Sequence, residues 1–138
     1  MKKPKNKSKL ACTLIQQWAR LVETDDHGNG FCFSCGKQIN YWECHGGHFQ
    51  PKGRDYNAAC IDKRNVHAQC IRCNMYEQGN ASGYAAHMIK KYNKEVLNEL
   101  FLISRHPCDK EVVEKFIKDI RAEMREIAKK KMFEVKVK

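Results

Sequence analysis

The sequence predicts an α+β fold: a small stapled core of short strands and one short helix, with α-helices on either side. Two observations predict it. Cys32-x-x-Cys35 and Cys70-x-x-Cys73 frame a stretch, from Phe31 to about Arg64, that is broken by Gly and Pro and has no helical period. Outside that stretch, apolar residues recur at three-and-four spacing, the pattern of amphipathic helices.

In chain order, residues 1–9 form a lysine-rich arm predicted to be disordered. Leu10, Leu14, Trp18 and Leu21 predict a helix over 10–23, ended by the turn chemistry of Asp25 to Gly30. A cysteine knuckle at 32–36 follows, then short strands around 41–50 and 59–67 joined by a loop at Pro51–Asn57. Cys70 to Glu77 should form a short helix, broken by Gln78-Gly79-Asn80, with Asn80 capping a helix to Tyr92. Val96, Leu97, Leu100, Phe101 and Ile103 share one helical face. After Pro107 and a cap at Asp109, Val112, Val113, Phe116, Ile117, Ile120, Met124 and Ile127 continue at helical spacing. The expected organisation is an arm (1–9), a core with its N-terminal helix (10–92) and a helical extension (93–138).

A chain of 138 residues, 42% apolar, suits one small domain that benefits from a staple. Paired Cys-x-x-Cys units sit at metal-ligand separation, so Cys32, Cys35, Cys70 and Cys73 are expected to hold one tetrahedral structural Zn²⁺. A thiolate site fits a reducing compartment. With no long apolar run and no signal peptide in view, the chain reads as cytoplasmic, without a membrane partner. Cys12 and Cys108 are expected as small buried hydrophobes in helical regions. The roles of Cys44, His67 and His87 stay open, a contact of His67 with Asn65's surroundings or with phosphate among the readings. The net charge of +10 points to nucleic acid, because Lys and Arg neutralise phosphates.

Cys32-Phe33-Ser34-Cys35-Gly36-Lys37, Gly47-His48-Phe49, Asn65-Val66-His67-Ala68-Gln69-Cys70-Ile71-Arg72-Cys73-Asn74, Gly79-Asn80 and Tyr84 come in an order that resembles the HNH (ββα-metal) nucleases. The string is more similar still to the phage lambda NinG recombination-nuclease family, over about residues 32–92. That resemblance implies a zinc-stapled ββα-metal core and a Mg²⁺- or Mn²⁺-dependent DNA endonuclease cutting branched intermediates such as Holliday junctions. Two cuts per junction imply a homodimer; the apolar faces of 94–131 and 10–22 either form it or cover the core. The other readings are a non-catalytic zinc-knuckle DNA-binding protein and a sequence-specific HNH nickase.

Phosphodiester hydrolysis needs a base for water and a cation for phosphate charge. His48 is the expected general base, Asn65 the residue that orients it, and Asn74 a carbonyl ligand for the hard cation. Many HNH enzymes carry a metal ligand immediately before the base, where this chain has Gly47; His45 is the nearest candidate for the missing ligand. Lys52, Arg54, Lys63, Arg64 and Arg72 surround these positions in sequence and are candidate phosphate contacts. Trp18, Trp42, Tyr41 and Tyr56 are expected to pack rather than stack on bases.

Overall fold

A computed structural model describes residues 7–138. Helix α1 spans Lys7–Val22, so the last three residues of the expected arm are helical; the rest of that arm lies outside the described residues. A first antiparallel hairpin, β1 (Asn29–Phe31) and β2 (Gln38–Asn40), carries the first cysteine knuckle on its turn. Strand β3 (His45–His48) pairs antiparallel with β4 (Val66–Gln69), with His45 opposite Gln69 and His48 opposite Val66. A five-residue π-helical turn (Arg72–Tyr76) follows, then α2 (Ala81–Lys91), α3 (Glu95–Ser104) and α4 (Lys110–Lys129).

Three local differences from expectation have local causes. The segment expected as a strand from 59 is instead two 3₁₀ turns, Ala58–Ile61 and Lys63–Asn65. Asn57 and Asp62 accept hydrogen bonds from Ala59 N and Arg64 N, and such side-chain bonds compete with a strand ladder. The first strand shortens because Asn40 Oδ1 accepts from Trp42 N and Glu43 N, turning the chain until His45. The short helix after Cys70 is π rather than α, with Glu77 N bonding to Arg72 O. The β1–β2 hairpin is too short for its alternation to stand out.

The main core lies between α1 and α4. Leu14, Ile15 and Leu21 pack with Val113, Ile117, Ile120 and Met124, joined by Val66 of β4 and Tyr41. Two amphipathic faces thus bury each other within one chain. Truncating fully buried Leu14 to Ala should cost about 2–5 kcal/mol. A smaller cluster, Tyr84 and Met88 of α2 with Val96 and Leu100 of α3, lies beside the knuckles, together with Phe33 and Phe49. Asp109 caps α4 and Asn80 caps α2, both through side-chain oxygens, as their positions in sequence suggest.

Gly46 lets α1 rest on the β3 backbone: a Cβ there would stand 2.5 Å from Gln16 O. Alternation along β3 and β4 then divides the hairpin. Gly46, His48, Val66 and Ala68 face α1, while His45, Gly47, His67 and Gln69 face the knuckles and α2.

Candidate metal centre and the adjoining His and Asn residues

Cys32 and Cys35 are brought together by the β1–β2 turn, where Cys32 N donates to Lys37 O and Gly36 N to Cys32 O. Cys70 directly follows β4 and Cys73 sits in the π turn. The four sulfurs lie within 4.8 Å of one another, Cys35 and Cys70 at 3.8 Å. Sulfurs about 2.3 Å from a tetrahedral Zn²⁺ stand roughly 3.8 Å apart, so the residues fit that ion. Asn80 Nδ2 donates to Cys73 Sγ and Cys73 N to Cys70 Sγ, both at 3.4 Å, the outer-shell support a thiolate site uses. Burial pushes the Cys73 thiol up to about 12, so the metal would displace its proton.

His48 is on the α1 face. Its Nε2 lies 2.9 Å from the Cys60 carbonyl. A carbonyl only accepts, so Nε2 carries the proton and Nδ1 keeps a free lone pair. Burial pushes the imidazole down to about 4, which keeps it neutral at physiological pH. Asn65, fully buried, holds the frame around it: Oδ1 accepts from Gln50 N at 2.7 Å, and Nδ2 donates to Gln50 O and Ala59 O. The loop leaving β3 is thereby tied to the 3₁₀ turn that bears Cys60. Cys12 of α1, His48 and Cys60 also bring their ligand atoms within 4.8 Å of one another.

Asn74 is on the other face. Its Nδ2 donates to His45 Nδ1 at 2.9 Å, and its Oδ1 stands 3.0 Å from where a Cβ of residue 47 would be. His45, Gly46 and Asn74 line a groove of about 210 Å³ with Thr13, Gln16 and Arg20 of α1. A larger hollow of about 340 Å³ lies between β2 and the knuckle; none of His48, Asn65 or Asn74 lines it. The side chain of His48 therefore leaves one face of the hairpin while Asn74, from the π turn, lies against the other, and the described contacts do not join them.

A family model for the bacteriophage lambda NinG protein matches residues 1–134. The chain belongs to the NinG family. Among its relatives, the ninG protein of Escherichia phage 933W is 30% identical over 70 residues, 50% of this chain and 33% of the relative. The ninG protein of Escherichia phage lambda is 29% identical over 70 residues, with the same coverage. That of Enterobacteria phage H19B is 36% identical over 40 residues, 29% of this chain and 20% of the relative. The chain thus spans at most about a third of the length of these relatives. No solved structure gave a significant match. No helix among the described residues is long and apolar enough to cross a membrane.

In this NinG-family chain, three of the five expected phosphate contacts are held by carboxylates. Lys63 pairs with Glu123 and lies over Trp18; Arg64 pairs with Asp62 and Glu99; exposed Arg72 pairs with Glu77. No ion pair holds Lys52 or Arg54 among the described residues. His67 is buried, stacked on Phe33 and bonded through Nδ1 to Glu23, so it supports the core and is not placed for phosphate. Cys44 is buried against the Tyr41 carbonyl, and His87 is exposed, bonded to Gly83 O. Cys108 lies in the loop before α4 rather than in a helix. Trp42 packs on Phe133 although it is largely exposed. The sequence reading missed Cys12 and Cys60 beside His48, and Gln69 beside Gly47. Register pairs Gln69 with His45, and only its side-chain position brings it beside Gly47.

Proposed function

We propose that this chain is a metal-dependent DNA endonuclease of the HNH type, acting on branched recombination intermediates. The observation that supports it best is the His48–Cys60 hydrogen bond, which presents a neutral imidazole with an unprotonated Nδ1 at the end of β3. In the proposed reaction, His48 Nδ1 takes a proton from water as the water oxygen bonds to phosphorus. The bond from phosphorus to the leaving oxygen breaks, and that oxygen takes a proton from solvent. Asn65 keeps His48 aimed by holding the segments on either side of it. A Mg²⁺ or Mn²⁺ ion held from the Asn74 side would offset charge on the phosphate and the leaving oxygen. Because His48 and Asn74 face opposite ways, the phosphate would have to approach β3 along its open edge, where the groove lies. The net charge of +10 favours DNA as the partner.

A second reading, a non-catalytic zinc-stapled DNA-binding protein, is favoured by the separation of those same two side chains. Incubation of zinc-loaded protein with supercoiled plasmid and a four-way junction, with Mg²⁺ or EDTA, decides between them. Mg²⁺-dependent cutting that His48→Ala loses while still binding the junction supports the enzyme. Binding with no cutting under Mg²⁺ or Mn²⁺ leaves the binder. One preferred site on linear duplex, with no preference for branches, identifies a sequence-specific nickase instead.

A further inference from the structure

Gln69 is fully buried on the face shared with Gly47 and Asn74. Its Nε2 donates to Ser34 Oγ at 2.7 Å and to the Gly79 carbonyl at 2.8 Å. Since the carbonyl can only accept, the amide has one orientation, and Oε1 must point away from Gly79. That oxygen is shielded from solvent and has no hydrogen-bond partner. It overlaps the position that a Cβ on residue 47 would take, and Asn74 Oδ1 stands 3.0 Å from the same point. Gln69 Oε1, buried and unpaired, therefore fills the space that glycine leaves, with the Asn74 amide oxygen beside it.

We infer that Gln69 Oε1 and Asn74 Oδ1 together bind a hard divalent cation, with Gln69 supplying from β4 the ligand that residue 47 lacks. The inference rests on the nuclease reading for the cation's purpose, but not for its place. Oxygen donors suit Mg²⁺ and Mn²⁺ rather than a thiophilic metal, which the neighbouring cysteines would take. His45, the sequence candidate for this ligand, is a positioning residue: its Nδ1 accepts from Asn74 Nδ2 and so turns Oδ1 towards Gln69. Two neutral oxygens leave the ion's double charge uncompensated, so the site needs an anion. A DNA phosphate supplies one, and cation and DNA bind together.

The test measures Mn²⁺ binding to zinc-loaded protein from the free-ion electron paramagnetic resonance signal, with and without a four-way junction. His48→Ala serves as the non-cutting background. The junction should raise Mn²⁺ affinity at least tenfold. Gln69→Leu should abolish that gain while zinc content stays at one per chain. Gln69→Glu, nearly the same shape with a carboxylate, should bind Mn²⁺ at least tenfold tighter without DNA, and it decides the matter if Gln69→Leu does not fold. Unchanged affinity in a folded Gln69 variant overturns the inference, Oε1 then meeting only a water or the Asn74 amide. If native protein still cuts DNA in that case, the nuclease reading stands. If native protein neither gains Mn²⁺ affinity with DNA nor cuts, both fall.

Discussion

The Cys60 carbonyl holds His48 Nε2 at 2.9 Å, and this single bond selects the tautomer whose free lone pair is on Nδ1. Replacing His48 by Ala removes the proposed base without touching the zinc site. Cutting should fall by about 10²–10⁴-fold, as for loss of a general base. Zinc content and junction affinity should change little; equal losses of cutting and binding would point to a structural role.

The same burial sets a pH dependence. His48 titrates near 4 when folded, below its ordinary value of 6.5. Between those values the unfolded chain binds the extra proton, so stability rises with pH there. The contribution is full above pH 6.5 and is lost as pH falls through about 4. Denaturant midpoints of native protein should drop over that window more steeply than those of His48→Gln. Parallel curves would show that the ring is not buried in the neutral form.

Asn65 makes three hydrogen bonds from a fully buried side chain. Asn65→Ala strands Gln50 N and two carbonyls, at about 1–3 kcal/mol for each group left unpaired. Asn65→Asp keeps the Gln50 N acceptor but cannot donate to either carbonyl. Both should lower stability and cutting together, with the aspartate the more damaging at neutral pH because its buried carboxylate faces two carbonyl oxygens, as read from urea unfolding.

Gly47 is restricted by its neighbours rather than by its backbone, since a Cβ would overlap Gln69 Oε1. Gly47→Ala should destabilise by about 1–3 kcal/mol through overpacking. Gly47→Ala in a Gln69→Ala background should recover most of that loss. Additive costs in this double-mutant cycle would show that the two sites do not share the space.

Among the described residues no ion pair holds Lys52 or Arg54, whereas Arg64 is held by two carboxylates that push its pKa further up. Lys52→Ala and Arg54→Ala should each lower the salt dependence of junction binding by about one phosphate contact. Arg64→Ala should instead lower stability and leave the salt slope nearly unchanged. A loss of slope at Arg64 would mean that DNA displaces Asp62 and Glu99.

Much of the architecture is legible in local sequence. The cysteine tetrad that fits zinc is readable because two Cys-x-x-Cys turns each fix two sulfurs through covalent spacing alone. Helices α1, α3 and α4 are readable from periodicity, and the Asn80 and Asp109 caps from residue chemistry at a boundary. Asn65 is recognisable only through its family motif; its three bonds join the loop leaving β3 to the 3₁₀ turn that bears Cys60.

The sequence by itself determined which residues have the chemistry a site would need, because residue type and short spacing are local properties. Only the tertiary structure decided how they face one another: α1 on the His48 side, Gln69 in the space beside Gly47, Cys12 and Cys60 around the imidazole. Those relations depend on strand register and on helix packing between distant segments. A one-residue shift would exchange every neighbour across the hairpin, and no stretch of sequence encodes that alone.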